Sequence, residues 1–453
     1  MARDVDVVVV GLGPGGEDVA GALAEAGLTV VGVEAELVGG ECPYWGCVPS
    51  KMMIRAANLL AESRRTAGMA GSVTVTPDFG PVADRIRAEA TDNWDDTVAV
   101  DRFVGKGGEF IRGRAVLTGP DTVRVDDEEF RATRGIVLAT GTSAAIPPIP
   151  GLAGTPYWTN REAISTTEPP ESVIVLGGGA IGSELAQVFA RFGTSVTIIE
   201  AADRLLPLEV PEAGALIAAT FTAEGIDVRT GTLAAGVRHD AEGFHVTAGD
   251  GTVTAERLLI ATGRRANLAG LGMEHVGILS DARSVTVDGQ MRAAEGVWAV
   301  GDLTGQGMFT HIAMYQSRIA AAAILGTPVD DADYRALPRV TFTDPEVGSV
   351  GLTPEAARAA GLRIRVGTTL VQHTARGWLH KAGNEGFIQV VEDADSGVLI
   401  GATSAGPAGG EVLGLLTLAV HARVPVAQMQ SMIYAYPTFH RGVEDALRAL
   451  SPA

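Results

Sequence analysis

The chain has 453 residues and only two cysteines, Cys42 and Cys47. That is too few for the disulfide framework of a small secreted scaffold. A metal site on these thiols would need further ligands close by, and no histidine or third cysteine is near them in sequence. No metal is therefore expected. Long apolar runs are missing too: none approaches the roughly 18 residues of a membrane span. Positive charge is scarce. Lys and Arg number 35 against 54 Asp and Glu, a formal charge of −19. Such a chain is a poor partner for nucleic acid or for an anionic membrane. The N-terminus has one Arg followed by acids and a very short apolar run, which makes a poor signal peptide and a good first strand. A cytoplasmic location is expected. Low-complexity tracts are absent, and a 46% hydrophobic, 20% charged composition argues against disorder.

Glycine is abundant, at 58 residues, nearly twice the average share of about 7%. It is dispersed, which excludes a collagen-like repeat and points to many tight turns. Residues 7–10 are a continuous apolar run, as in a parallel strand buried on both faces. Gly11-Leu12-Gly13-Pro14-Gly15-Gly16 follows, then a helix over 19–26 and a strand over 28–33 that ends at Glu34. The pattern recurs: strand 173–176, turn Gly177-Gly178-Gly179-Ala180-Ile181-Gly182, helix 183–192, and strand 196–199 ending at Glu200. Downstream of each turn, an apolar strand closes on Ala-Thr-Gly, at Ala139-Thr140-Gly141 and at Ala261-Thr262-Gly263. The chain thus reads as two nucleotide-binding units in tandem, joined near Pro147-Pro148-Ile149-Pro150-Gly151. Beyond Ala336 short strands alternate with helical stretches, which reads as an α+β domain.

A lone G-x-G-x-x-G is a weak signal, but here two copies each lie between a strand and a helix, with an acid about 20 residues on. Gly11 and Gly177 permit the tight turn. Gly13 and Gly179 let a pyrophosphate approach the backbone, and Gly16 and Gly182 let helix and strand pack closely. The helix N-terminus then meets the phosphates. Glu34 and Glu200 are placed to accept from a ribose 2′-hydroxyl. A carboxylate at Glu200 repels a 2′-phosphate and favours NADH over NADPH, although Arg204 four residues on could blunt this. The stretch Gly39-Gly40-Glu41-Cys42-Pro43-Tyr44-Trp45-Gly46-Cys47-Val48-Pro49-Ser50-Lys51 is the most informative. One helical turn plus a bend can bridge the two cysteines. A helix beginning near Cys47 would lower that thiol's pKa, as a redox thiolate needs.

Together these features resemble the flavin-dependent pyridine nucleotide–disulfide oxidoreductases, in the branch with dihydrolipoamide dehydrogenase, glutathione reductase and mercuric reductase. The resemblance covers nearly the whole chain. It is carried by both Gly-rich turns, the C-x4-C-x-P-S-K box, both Ala-Thr-Gly ends, Ala299-Val300-Gly301-Asp302, and the run Pro338-Arg339-Val340-Thr341-Phe342-Thr343-Asp344-Pro345-Glu346. It implies an α/β fold of two tandem Rossmann-like domains, for FAD and then NAD, and a C-terminal α+β dimerisation domain. The expected boundaries are 1–148 and 266–335 for the FAD-binding and central region, 149–265 for NAD(P), and 336–453 for dimerisation. FAD would lie on the first unit, with Glu34 on the adenosine ribose, Asp302 on the ribityl chain and the Ala115 backbone on adenine. A helix starting near His311 would face the flavin. Gly40, Thr140, Gly141, Gly263 and Gly301 join the cofactor-binding positions. NADH would reduce the flavin, and the flavin would open the Cys42–Cys47 disulfide. Cys47 matches the thiol beside the flavin, Cys42 the interchange thiol, and Lys51 and Glu184 an ion pair at the flavin.

Two boxes depart from the family pattern. Disulfide reductases carry His before the C-terminal Pro-Thr and Glu five residues later, a pair that serves the partner subunit; here Tyr436 and Arg441 stand there. A phenol, ordinarily titrating near 10, is a poor base at neutral pH where a His near 6.5 is a good one. His440 and Glu444, four apart on the expected helix, are a candidate displaced acid–base pair. Between the cysteines, Pro43-Tyr44-Trp45-Gly46 replaces the usual Leu-Asn-Val-Gly, and Glu41 replaces the usual Thr. That carboxylate would disfavour a Cys42 thiolate. The expectation is a homodimeric FAD enzyme passing electrons from NADH to a small disulfide or other electrophilic acceptor, or oxidising a dithiol in reverse. The alternatives are a quinone, metal-ion or oxygen reductase acting at the flavin, and a non-catalytic redox sensor or complex subunit.

Overall fold

The structure is a computed structural model describing residues 2–452. The chain forms two compact units. The first gathers the chain up to Ser50, Ala83–Ala145 and Gly263–Asp333; the second gathers Lys51–Val82, Ile146–Thr262 and the chain from Tyr334 onward.

The first unit is built on a largely parallel sheet. Its order is Arg292–Ala294, Val297–Ala299, Glu128–Leu138, Arg3–Val10, Val30–Glu34, Glu109–Arg112. Val7 to Val10 pair in parallel with Val30 to Val33 on one side and with Gly135 to Leu138 on the other. All four valines are at most 4% exposed, because both faces of the sheet are covered. Val7 and Val9 pack with Val19 and Leu23 of helix Pro14–Glu25 and Ile319 of helix Thr310–Leu325. Val8 and Val10 face Ile136, Leu138, Phe130 and Met273 on the other side. The hairpin Ala115–Leu117 and Thr122–Val125 extends the sheet antiparallel from Glu128–Leu138.

The second unit contains a four-stranded parallel sheet, ordered Asp227–Arg229, Ser195–Ile199, Ser172–Leu176, Arg257–Ile260. Helix Ala180–Arg191 follows the strand Ser172–Leu176. A three-stranded meander, Ala234–Asp240, Gly243–Ala248 and Gly251–Ala255, shares a core with that sheet through Ile174, Leu176, Phe244 and Val246. The same unit holds a six-stranded antiparallel sheet, ordered Pro338–Thr341, Glu346–Gly351, Leu399–Gly406, Phe387–Asp393, Ile364–Leu370, Ser451–Pro452. Helices Gly409–His421 and Gly442–Arg448 pack on it through Leu413, Leu416, Val443 and Leu447. The class is α/β, as the sequence patterning requires.

Both turn helices start earlier than the apolar periodicity suggests, at Pro14 and Ala180 rather than Val19 and Ser183. Small residues carry no hydrophobic signal, yet Pro14 at the first helical position has the φ that a helix start wants. The C-terminal helical stretch that carries Glu444 is short. A short 3₁₀ turn, Phe439–Arg441, precedes Gly442–Arg448, and Ser451–Pro452 join the sheet as a strand. Among the described residues, no helix is long and apolar enough to cross a membrane.

Candidate active site

The two Gly-rich turns have the same internal geometry. A Cβ added to Gly11, whose φ is +92°, would lie 2.5 Å from the Ala139 carbonyl oxygen, and one on Gly16 would run closer still into the Gly11 carbonyl. Gly177 (φ +107°) meets Ala261 and Gly182 meets Gly177 in the same way. The middle glycines differ. The nearest atom to a Cβ on Gly13 is 4.0 Å away, and on Gly179 nothing lies within 4 Å. Open space at the middle glycine, at the N-cap of a 12-residue helix, is what a pyrophosphate requires. Each turn therefore fits a dinucleotide. Gly40 packs against the first turn: with φ +62°, its added Cβ would approach Gly13 Cα to 2.8 Å.

The acids at the ends of the second strands also match. Glu34 accepts from the amides of Leu12 and Glu36, each at 2.8 Å, while Glu200 accepts from those of Gly178 at 2.5 Å and Ala202 at 2.7 Å. Each carboxylate is thus fixed in orientation with lone pairs to spare for a ribose hydroxyl. Burial pushes the Glu34 carboxyl above its ordinary value, against the pull of its two amides. Arg204 is engaged with Asp203 and the Pro207 carbonyl, both at 3.3 Å.

The cysteine box folds as one turn and a bend. Helix Glu41–Trp45 ends at Gly46, and Cys47 is the first residue of helix Cys47–Arg64. Cys42 is half-buried and Cys47 exposed. Cys47 Sγ lies 3.4 Å from Thr310 Oγ1, and Thr310 is itself the first residue of helix Thr310–Leu325. The sulfur therefore sits at two helix N-termini, whose partial positive charge favours a thiolate. Thr310 was not singled out in the sequence, although its neighbour His311 was. The structure has His311 exposed, its ring stacked on Phe309 at 5.1 Å.

Glu41 is answered by a cation. Its carboxylate is 3.3 Å from the Arg264 guanidinium, which also donates to Thr142 Oγ1 and to the Thr142 carbonyl, each at 2.7 Å. Thr142 Oγ1 in turn donates to Asp302 at 2.8 Å. Arg264 lies just past the second Ala-Thr-Gly and returns to pair Arg264–Ala266 with Thr142–Ala144. The charge expected to oppose a Cys42 thiolate is thus half of an ion pair. Burial pushes the Asp302 carboxyl up, with Thr142 and Arg264 pulling the other way. Gly301 takes φ +82°, and its amide donates to the buried Gln316 at 2.7 Å. Thr140 and Asn267 exchange hydrogen bonds at 2.9 Å beside Gly141, and Ala115 opens its strand almost fully buried. Gly263, at φ +118°, turns the chain into the Arg264 strand.

In the second unit Lys51 and Glu184 do meet, at 2.9 Å. Glu184 is 7% exposed at its side chain and also accepts from the Phe342 amide at 2.9 Å. The Lys51 ammonium sits over the Phe342 ring, 4.6 Å from its centroid. The C-terminal box behaves otherwise. Tyr436 is 71% exposed, with the Arg441 guanidinium 5.7 Å over its ring. His440 and Glu444 do not form the pair that their spacing suggested: Glu444 is held by Arg441 and Arg448, and His440 is 3.4 Å from Thr438 Oγ1. His440 sits in the 3₁₀ turn before the helix, so the four-residue spacing does not align the two side chains.

Residues 5–317 match the family model described as pyridine nucleotide-disulphide oxidoreductase, and 337–447 match that family's dimerisation domain. The chain is 34% identical to a dihydrolipoyl dehydrogenase of Thermus scotoductus, over 99% of this chain and 98% of the relative. It is 32% identical to a mercuric reductase of Acidithiobacillus ferrooxidans, over 99% and 83%. Among solved structures it resembles the HOCl-induced flavoprotein disulfide reductase RclA of Escherichia coli in its Cu(II) complex, with a TM-score of 0.87, 27% identity and 99% of each chain covered. LpdA of Mycobacterium tuberculosis superposes with a TM-score of 0.86, at the same identity and coverage. The chain belongs to the class I pyridine nucleotide–disulphide oxidoreductases, a family of enzymes that use FAD and a pyridine nucleotide.

Proposed function

We propose that this enzyme carries electrons from NADH to the Cys42–Cys47 disulfide and on to a small disulfide or other electrophilic acceptor, or runs the reverse as a dithiol oxidase. FAD, when bound, supplies the two-electron relay between nucleotide and sulfur. Gly11, Gly13, Gly16 and Glu34 would hold its pyrophosphate and adenosine ribose, with Asp302 toward the ribityl chain. Gly177, Gly179, Gly182 and Glu200 would hold the nicotinamide nucleotide. Glu200 supports NADH, since its fixed carboxylate repels a 2′-phosphate and Arg204 is engaged elsewhere. We assign 1–148 with 266–335 to FAD, 149–265 to NAD(P) and 336–453 to a homodimer interface, in a cytoplasmic protein.

The observation that carries the reading is the setting of Cys47. Its sulfur, at two helix N-termini and against Thr310, can hold negative charge while Cys42 attacks. The Cys42 thiolate attacks one sulfur of the acceptor disulfide and expels a thiolate, which takes a proton. Cys47 then attacks Cys42, releases the second thiol and restores the protein disulfide. Lys51 and Glu184 keep the role that the resemblance gives them.

The test is an anaerobic NADH titration. A long-wavelength absorbance band marks a thiolate lying against oxidised flavin and supports the reading. Bleaching of the flavin without that band removes the disulfide from the electron path.

A second reading has its own support. Tyr436 and Arg441 stand where disulfide reductases hold an acid–base dyad, and no displaced His440–Glu444 pair replaces it. Acceptors that do not use the interchange thiol, such as quinones, oxygen or metal ions, then act at the flavin. The mercuric reductase and the Cu(II)-complexed RclA lie in the same neighbourhood. Cys42→Ser separates the two readings: disulfide turnover should vanish and quinone turnover should survive.

A further inference from the structure

The segment from Thr91 to Asp96 has a shape its own sequence does not favour. Asp92, Asn93 and Trp94 take φ of 47°, 56° and 57°. Asn, and less readily Asp, tolerates that left-handed region; Trp gains nothing from it locally. Such a run persists only where its surroundings fix it. Both flanks are fixed. Thr91, 1% exposed, donates its hydroxyl to the Ile86 and Arg87 carbonyls at 3.1 and 3.2 Å. Asp96, also buried, accepts from the Val38 amide at 2.7 Å and from Arg112 at 2.5 Å. Arg112 further donates to the Glu36 carbonyl.

The turn delivers one group: the Trp94 indole, stacked on Trp45 with ring centroids 5.3 Å apart and planes 25° apart. Trp94 Nε1 is buried and has no hydrogen-bond partner among the described residues. The ring is there for its face, not for its N–H. Trp45 is the last residue of the helix that carries Cys42, and only Gly46 separates it from Cys47. A helix of one turn has no stability of its own. This one is held at both ends by the same segment: its approach through Asp96 on Val38, its end through Trp94 on Trp45.

We propose that Trp94 is a positioning residue for the Cys42–Cys47 pair, holding the Cys42 helix so that the two sulfurs stay within bonding reach. The inference rests on the proposed redox role of that pair. Closure of a disulfide depends on the effective concentration of one thiol at the other. Loosening the helix lowers that concentration and makes the disulfide easier to reduce. The free energy of one aromatic stack corresponds to about a three- to tenfold change in the equilibrium constant, and tenfold is about 30 mV for two electrons.

The experiment equilibrates the FAD-loaded protein with dithiothreitol buffers of graded oxidation. The protein disulfide takes two electrons and two protons to give two thiols, while dithiothreitol closes to its cyclic disulfide. The reduced fraction is read as the mass added by thiol alkylation, independently of turnover. Trp94→Leu, which keeps apolar volume without a ring, should become three- to tenfold easier to reduce. Trp94→Phe should match wild type, because no hydrogen bond of Nε1 is lost. Trp45→Leu should reproduce Trp94→Leu from the other side, and it stands in if Trp94→Leu fails to fold. A lower melting temperature with unchanged equilibrium constants in the leucine variants would mean that the stack only stabilises the fold, and the inference falls. A Phe variant as shifted as the Leu variant overturns it equally. If the wild-type cysteines show no dithiol–disulfide equilibrium at all, the proposed function itself fails.

Discussion

Alanine replacing each glycine of the first turn should give three different outcomes for one chemical change. At Gly11 the backbone has φ +92° and the new methyl would lie 2.5 Å from the Ala139 carbonyl oxygen. The left-handed conformation alone costs about 1–2 kcal/mol for a non-glycine residue, and the contact adds to it. At Gly16 the methyl meets the Gly11 carbonyl, which is backbone and cannot swing aside, so overpacking costs about 1–3 kcal/mol or more. At Gly13 the backbone is an ordinary extended one, φ −65° and ψ −177°, and no atom lies closer than 4.0 Å to the methyl. There the substitution should be neutral, or stabilise by about 0.4–1 kcal/mol through the unfolded chain. FAD binding should rank differently. The Gly13 methyl occupies the approach to the amides at the helix start, and a loss of at least tenfold in affinity, about 1.4 kcal/mol, is expected. The assay is paired: urea unfolding of flavin-free protein, and FAD binding followed by quenching of flavin fluorescence. Gly13→Ala should unfold like wild type yet bind FAD weakly, whereas Gly16→Ala should lose stability first. Gly13→Ala with wild-type FAD affinity would falsify the assignment of this turn to the pyrophosphate. The second turn offers a control, since Gly179→Ala should weaken NADH binding and leave FAD alone.

Other predictions concern charge. Lys51→Met removes the cation from the buried Glu184 and leaves it the Phe342 amide, and should destabilise by about 1–2 kcal/mol in urea unfolding, discounted because Lys51 is a third exposed. Adding Glu184→Gln should recover part of that loss. Glu41→Gln and Arg264→Met should move Cys42 alkylation in opposite directions in the reduced protein, faster and slower respectively, each within about tenfold because the two charges offset each other as a pair. The same sign for both would remove the pair from the electrostatics of the thiol. Glu200→Gln should raise the NADPH-to-NADH ratio of kcat/KM at least tenfold; an unchanged ratio would show that Glu200 does not select the nucleotide.

Much of this site is legible in sequence because its chemistry is local. The Gly-rich turns and the one-turn spacing of the cysteines each follow from residues a few positions apart, and the acids after the second strands from a single strand–turn–helix–strand unit. The Lys51–Glu184 pair is 133 positions apart and came from the family resemblance rather than from periodicity. What periodicity could not give is contact made by chain return. Arg264 reaches Glu41 and Thr142 only because the chain doubles back after Gly263 to pair two short strands. Thr310 touches Cys47 across 263 positions with no pattern to announce it. Trp94 is hidden for a different reason. Its turn contradicts the local preference of its own residues, and contacts with distant parts of the chain, Asp96 on Val38 and Trp94 on Trp45, help to fix the shape. His440 and Glu444 show the opposite case: their spacing is helical in the sequence, but His440 lies in a 3₁₀ turn and the Glu444 carboxylate is held by Arg441 and Arg448.

The raised carboxyls of the first unit add a pH dependence whose sign can be fixed. Burial lifts Glu34 above the ordinary value of about 4.3. The Leu12 and Glu36 amides and Arg112 pull it down, and the Glu36 carboxylate pushes it up. Burial lifts Asp302 likewise, with Glu41 adding to the rise and Thr142 and Arg264 opposing it. Between the ordinary and the raised values, the folded flavin-free protein binds more protons than the unfolded chain. Its stability therefore falls as pH rises through that window and levels off above it. FAD bound with its adenosine ribose on Glu34, as proposed, would reverse the preference there. A ribose hydroxyl donating to the carboxylate favours the ionised form, so binding expels a proton. FAD affinity should then tighten as pH rises through the same window, by at most one decade per pH unit for each carboxyl involved. Glu34→Gln should weaken binding at neutral pH and flatten the part of the slope that Glu34 owns, with Asp302 supplying any remainder. FAD dissociation constants measured from about pH 5 to pH 8 decide the matter. Affinity that tightens on acidification in the wild type would mean that the bound cofactor prefers the protonated carboxyl, and Glu34 would then be donating to the ribose rather than accepting from it.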